Sequence, residues 1–178
     1  MTPYDWLLIF LGGGLLVLFA VDGLLRGLFS AVVLWSATLA SAALYRELAF
    51  RVQAIGGSNP VLTRGVVFDI LFVLFLIAGY VLIRLAFPVT KLPSLGFLDN
   101  LLGLVVGVVI TVTLISVLVN SMGVMTVERW PVNEQGWTAL RSAYVRSGLR
   151  PLTTRVMGAY GWLFVPFFRG LPPVLVPQ

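Results

Sequence analysis

Four long runs of apolar residues alternate with short stretches that hold most of the charges. The runs cover about residues 6–21, 28–45, 66–87 and 101–119, and each approaches the roughly 20 apolar residues that a membrane-spanning helix needs. Beyond residue 120, arginines and aromatic residues recur at helical spacing. The pattern predicts an all-α polytopic membrane protein with about four transmembrane helices in residues 1–120. A linker and an amphipathic, interface-lying C-terminal segment follow in residues 121–178. We expect that segment to lie in the interface or to pack on the bundle, and not to span the membrane.

Composition supports lipid as the solvent of this chain. Of 178 residues, 59% are hydrophobic and 11% are charged, whereas a soluble domain averages about 25% charged residues. No Lys or Arg precedes the first apolar run, and Asp5 stands directly before it. A cleavable signal needs a positive leader, so we expect the first run to be retained as a helix.

The chain contains neither cysteine nor histidine, which excludes disulfides, thiol nucleophiles, imidazole bases and Cys/His metal sites. We therefore predict no catalytic residues, no cofactor and no metal. Two enzymatic alternatives remain for such a chain. A Ser–Lys pair would require Lys91, in a proline-flanked loop, and an intramembrane aspartyl pair would require Asp69 and Asp99.

The stretch LDNLLGLVVG, residues 98–107, places an acid ahead of the fourth apolar run. Asp99, Gly103, Gly107 and Thr111 are four residues apart, so on a helix they form one stripe. The glycines form a GxxxG pattern, which lets helices approach closely in lipid. Asp99 is expected to cap free backbone N–H groups at the helix start and to face the neighbouring helix.

Other small residues also indicate close helix packing. Ala37 and Ser41 form a small-residue face on the second predicted span, which we expect to be central in the bundle. Gly12, Gly13 and Gly14 interrupt the first span. They either admit a neighbouring backbone, the favoured interpretation, or allow a functional break in the helix.

A few ionisable residues lie in or beside the apolar runs. Asp22 and Arg26 belong to a tight connector, VDGLLRG at Val21–Gly27. Asp69 lies one turn inside the third run, where an acid is costly and invites a functional hypothesis. It either reaches the interface or pairs with Arg64, or it carries a proton or ion.

Positive charge is almost entirely arginine, at a formal net charge of +5. Because the arginines are scattered between apolar runs or along the tail, we predict contact with the lipid bilayer, with anionic headgroups at the arginine-rich tail, and not with nucleic acid. One predicted side carries Arg46, Arg51, Arg64, Arg129, Arg141, Arg146, Arg150, Arg155 and Arg169, and the other carries Arg26, Arg84 and Lys91. The positive-inside rule then favours both termini in the cytoplasm.

Several short motifs resemble the colicin V production protein (CvpA) family. They are DWLLIF from Asp5, GLLRGLF at Gly23–Phe29, SAALYRELA at Ser41–Ala49, LGFLDNLLGLVVG at Leu95–Gly107 and SGLRPLTTRV at Ser147–Val156. One departure is Asn100, where the family often has arginine. The resemblance implies an inner-membrane protein with about four spans, associated with toxin export and envelope homeostasis.

In some relatives an extracytoplasmic protease domain follows the membrane part, which implies the opposite sidedness for the C-terminal end. Without histidine, this chain cannot contain the catalytic triad of that domain. The resemblance thus implies no defined catalytic site. We expect a non-enzymatic protein that acts through partner membrane proteins or as a homo-oligomer, with two alternatives. One is a small transporter or channel subunit that uses Asp69 or Asp99, and the other is an intramembrane hydrolase.

Overall fold

The computed structural model describes residues 2–56, 59–87, 97–131 and 133–178. Its described residues form five α-helices: α1 at Pro3–Gly56, α2 at Pro60–Ala86, α3 at Phe97–Met125, α4 at Glu134–Val145 and α5 at Arg150–Gly161. Two 3₁₀ turns follow at Trp162–Phe167 and Pro173–Leu175. The all-α prediction is confirmed.

Three of these helices, α1, α2 and α3, are long and apolar enough to cross a membrane. Their outer surfaces expose large apolar side chains, including Phe10, Leu85 and Phe97, which are 76%, 75% and 78% exposed. Burying such side chains is worth about 1.5–3 kcal/mol each, so this surface is stable in hydrocarbon and not in water. A polytopic membrane fold follows.

Helix α1 contains the first two predicted spans, and it reverses direction at Gly23. This residue has φ 81° and ψ 177°, a region of backbone conformation that is essentially restricted to glycine. Before it, Gly12 faces Thr111 while Phe19 contacts Gly107, so residues 3–22 run antiparallel to α3. After it, Gly27 contacts Val106, which lies further along α3 than Gly103, the residue that Gly23 contacts. Residues 24–56 therefore run parallel to α3.

We call residues 3–22 the first arm and residues 24–56 the second arm. Helix α2 packs antiparallel to the second arm, because Val33 lies against Gly79 and the rings of Tyr45 and Phe68 are 6.0 Å apart. The four helical segments enclose a core that includes Phe19, Leu34, Phe68, Phe72, Ile110 and Val117.

The helices extend further than the apolar runs do. The second predicted run ends at residue 45, but the helix continues to Gly56. The third and fourth runs are likewise extended, since α2 begins at Pro60 and α3 ends at Met125. Polar residues stabilise these extensions: Arg51 pairs with Glu47 one turn earlier at 3.1 Å, and the Asn59 side chain caps the start of α2. The hydrophobic pattern marks the lipid-facing part of a helix and not its whole length.

The C-terminal segment packs against the bundle along part of its length. Met157, Phe164 and Leu175 are fully buried and belong to the same core as Phe68 and Val117. The Trp35 ring of the second arm stacks on Phe164 at 6.1 Å. The segment packs beside the second arm and α3, because the apolar surface of these helices buries its apolar face as well as lipid would.

Candidate functional site

At one end of the bundle, polar groups surround the reversal of α1. The Leu24 backbone N–H donates to Asp99 Oδ1 at 2.9 Å, and Asp99 is 2% exposed. A Cβ at Gly23 would overlap the Asp99 carboxylate. Asp99 therefore lies at the first free N–H of the second arm, where a carboxylate also meets the positive end of that helix dipole.

Asp22 and Arg26 form an ion pair across the same reversal. Arg26 Nη1 lies 2.6 Å from Asp22 Oδ1, and the Tyr80 hydroxyl of α2 donates to Asp22 Oδ2 at 3.2 Å. Arg26 also donates to the Phe87 carbonyl at 3.4 Å. The pair thus connects both arms to the C-terminal end of α2. We call these residues, with Gly23, Leu24 and Asp99, the reversal cluster.

The glycine stripe of α3 contacts the first arm of the same chain. A Cβ at Gly103 would lie 2.7 Å from the carbonyl carbon of Gly23, and one at Gly107 would lie 2.5 Å from the Phe19 Cβ. Further along the stripe, Thr111 is buried and contacts Gly12. The GxxxG pattern therefore brings two helical segments of one chain together.

The remaining small residues divide into buried and open positions. Ala37 and Ser41 are buried in the second arm. A Cβ at Gly12 would meet Thr111 and Ile115 at 3.1 Å, whereas one at Gly13 or Gly14 would meet nothing within 4 Å. Only Gly12 of the three glycines faces a neighbouring helix.

A second polar cluster, at the opposite end of the bundle, joins the start of α1 to the residues between α4 and α5. Asp5, which is 0% exposed, accepts hydrogen bonds from the Ser147 hydroxyl, from the Gly148 N–H at 3.2 Å and from the Thr2 N–H at 2.7 Å. Sequence reasoning did not select this pairing. The motifs that contain Asp5 and Ser147 were each visible, but nothing in their spacing connects them.

Asn120 of α3 holds the last residues of the chain. Its side-chain amide donates to the carbonyls of Val174 at 2.8 Å and Val176 at 3.0 Å, and its oxygen accepts from the Gln178 N–H at 3.1 Å. An amide is suited to this task because it both donates and accepts. This contact, too, was missed from sequence.

Asp69 of α2 faces α3. Ser121 donates its hydroxyl to Asp69 Oδ2 at 2.9 Å, while Oδ1 is buried and finds no hydrogen-bond partner among the described residues. Of the alternatives for Asp69, the pair with Arg64 is not formed, since the ion pairs of the described chain are Arg26–Asp22 and Arg51–Glu47. Arg64 is exposed, and a buried partner would have to desolvate its guanidinium.

The enzymatic alternatives receive no support from these positions. Asp69 of α2 lies beside Ser121 near the end of α3, whereas Asp99 lies in the first turn of α3. At 1.5 Å per residue, about 33 Å along α3 separates the two acids. An aspartyl pair is therefore not formed. Lys91 lies outside the described residues. No group of three or more acids within the described ranges is placed to hold a metal ion.

One tyrosine of α5 has an altered acidity. Tyr160 is half-buried, and its hydroxyl lies 3.0 Å from the Thr38 hydroxyl of the second arm. Burial raises the pKa of Tyr160 to about 12, although the hydrogen bond with Thr38 acts in the opposite direction. The phenol is thus neutral at physiological pH and serves as a hydrogen-bonding group between α5 and the bundle.

Comparison with known proteins gives one family. A family model described as colicin V production protein matches residues 4–152, which is most of the chain and includes the reversal cluster and the Asp5–Ser147 pair. No curated protein and no solved structure matches the chain.

Proposed function

Since this chain belongs to the colicin V production protein family, we propose that it is a non-enzymatic, multi-pass protein of the bacterial inner membrane. It serves the production or export of a colicin V type toxin, or the maintenance of the cell envelope. It acts by assembling with other membrane proteins or with further copies of itself.

One observation carries the choice of an assembly role over a catalytic one. Of the five acids in the long helices, four accept a hydrogen bond from a different segment of the chain: Asp5 from Ser147, Asp22 from Tyr80, Asp69 from Ser121 and Asp99 from Leu24. Groups engaged in this way hold helices at a fixed distance. A bundle whose helices are held by such hydrogen bonds and whose exterior is apolar is suited to binding other helices.

The proposed partner surface is the outward face of the first arm. Gly13 and Gly14 have open space beside them, and the exposed side chains of Phe10 and Val17 lie one turn to either side. Small residues flanked by large ones allow a second helix to approach closely in lipid. The buried GxxxG stripe of α3 has no free surface for this purpose.

Crosslinking in native membranes followed by mass spectrometry tests the proposal. We expect wild-type protein to give crosslinked products, and the variant Gly13→Leu/Gly14→Leu to lose them because leucine fills the notch. Ala78→Leu, at an exposed small residue of α2, is the matched control and should keep the products. Unchanged crosslinking in the double glycine variant would contradict the assembly role of this surface.

We also propose that each arm of α1 crosses the membrane and that both termini are cytoplasmic. The hydrogen bond between Ser147 and Asp5 supports a common side for the N-terminus and the tail, and the arginine distribution supports the cytoplasm as that side. A reporter fused after Gln178 tests this sidedness. Activity of a periplasm-specific reporter at that position would contradict it.

A second candidate function, a small transporter or channel subunit, is favoured by the free Oδ1 of Asp69. An acid oxygen without a partner inside a membrane helix can hold a proton or an ion. Under this alternative, Asp69→Asn abolishes flux in liposomes, whereas Asp99→Asn, which alters the reversal cluster, lowers it by weakening the fold. Equal proton and ion flux in wild type and both variants would refute the alternative.

A further inference from the structure

A cavity lies where the end of the second arm and the start of α2 meet the C-terminal segment. Its volume is about 650 Å³. The second arm, α2, α3 and the last residues of the chain all contribute to its wall. The lining residues are Tyr45, Arg46, Phe50, Gln53, Val61, Arg64, Val124, Val127, Pro173, Val174 and Gln178. We call it the arginine pocket.

The arginine pocket lies at the level where the apolar core ends. Gly65 of α2 contacts Met125, the last residue of α3, so the second arm and the first turn of α2 project past α3 and overhang the pocket. Its inner wall is the buried ring of Tyr45, and its outer lip includes the exposed side chains of Phe50 and Val127. The pocket therefore has an apolar lip beside its polar wall.

The charge of the pocket is positive. Two arginines line it, and no side chain among its lining residues is acidic. Neither Arg46 nor Arg64 takes part in the two ion pairs of the described chain. Arg46 is positioned by the Tyr45 hydroxyl, which accepts its Nε–H at 3.1 Å, and Gln53 is tied to the Pro60 carbonyl at 3.2 Å.

We infer that the arginine pocket binds the phosphate of an anionic phospholipid headgroup, with an acyl chain against the lip at Phe50 and Val127. Guanidinium groups match phosphate oxygens in two-point hydrogen bonds, and basic pockets between transmembrane helices hold anionic headgroups. A zwitterionic lipid would find no acidic side chain in the lining for its ammonium group. The site is separate from the predicted headgroup contacts of the tail, because both arginines belong to the long helices, and it does not depend on the proposed function.

Native mass spectrometry of the detergent-purified protein, with phosphatidylglycerol or phosphatidylcholine added, tests the inference. We expect phosphatidylglycerol to be retained more tightly than phosphatidylcholine. Each arginine near a lipid surface contributes about a fivefold gain in affinity, so Arg46→Gln/Arg64→Gln should weaken phosphatidylglycerol binding about 30-fold. The single variant Arg64→Gln should weaken it about fivefold. The control Arg155→Gln/Arg169→Gln removes the same charge from exposed tail positions and should leave binding near the wild-type level.

Three results would overturn the inference. An equal loss in the tail control would indicate diffuse attraction and not a pocket. Equal retention of phosphatidylcholine would indicate a neutral amphiphile. Displacement of the lipid by millimolar inorganic phosphate would indicate a site for a soluble anion. Both arginines are exposed, so the variants are expected to fold, and unchanged far-UV circular dichroism checks this.

Discussion

Substituting Gly103 by alanine probes the contact on which the fold of the first two spans depends. The added Cβ would lie 2.7 Å and 2.8 Å from the carbonyl carbon and Cα of Gly23 and 2.9 Å from the Phe19 carbonyl oxygen. All three are backbone atoms, so no rotamer change relieves the overlap. The first arm must move away from α3.

The expected cost follows from two opposing effects. Inserting a group into a closely packed contact costs about 1–3 kcal/mol, and rigid backbone on the other side favours the upper value. Alanine regains about 1 kcal/mol over glycine in a helix interior. The net loss is therefore about 2 kcal/mol in the free energy of unfolding. It grows if the nearby hydrogen bond from Leu24 to Asp99 is also broken, since such bonds to charged groups contribute about 1.5–3 kcal/mol.

The assay is unfolding by sodium dodecyl sulfate in mixed micelles, followed by far-UV circular dichroism. Gly13→Ala is the matched control because its new Cβ meets nothing within 4 Å, so it should be neutral or stabilise by up to about 1 kcal/mol. The two alanine variants should thus shift stability in opposite directions. Equal unfolding free energies for the two would refute the close approach of the first arm to α3.

Three further perturbations test other contacts. Gly23→Ala places a side chain at φ 81° and ψ 177° and against the Asp99 carboxylate, so it should destabilise the protein by about 3 kcal/mol or more in the same assay; wild-type stability would contradict the reversal geometry. Asn120→Asp removes both donors to the Val174 and Val176 carbonyls, and limited proteolysis should then cleave the C-terminal segment faster, whereas an unchanged rate would argue against this clamp. Tyr160 has a pKa raised to about 12, above its unfolded value near 10. Its contribution to stability is therefore full below pH 10 and is lost as the pH rises towards 12. Between pH 9 and 11.5 the free energy of unfolding should fall more steeply with pH in wild type than in Tyr160→Phe, and parallel curves would count against the burial of this phenol.

The sequence predicted the parts of this fold that depend on solvent. Long apolar runs with few charges are stable only in hydrocarbon, and the fold class and the family resemblance are both confirmed. Helix ends were less accessible to prediction, because polar residues such as Glu47 and Arg51 extend a helix beyond the lipid-facing part.

The reversal of α1 was predicted as a seven-residue connector and is made by Gly23 alone. Glycine can adopt a backbone conformation that reverses the chain without any loop. The composition of the connector indicates a turn. The length of the turn depends on which residue contacts Asp99 and Gly103, and such contacts between helices are not visible in one sequence.

Contacts between distant positions could not be predicted from one sequence. The periodicity of a helix fixes which residues share a face, but it carries no information on the partner of that face. The pairing of Asp5 with Ser147 and of Asn120 with Val174 therefore appeared only in the structure. The same reason explains the tail, since its amphipathic pattern does not determine whether lipid or the bundle covers its apolar side.

The reversal of α1 is tested most directly by measuring on which side of the membrane each end of α1 lies. The chain has no cysteine, so single cysteines can be introduced as Thr2→Cys, Ile55→Cys and Asn100→Cys and labelled with a membrane-impermeant maleimide in sealed vesicles. We predict that the first two label from one face and Asn100→Cys from the other. An unbroken helix over the 54 residues of α1 would separate its ends by about 80 Å, and labelling of Thr2→Cys and Ile55→Cys from opposite faces would contradict the reversal at Gly23.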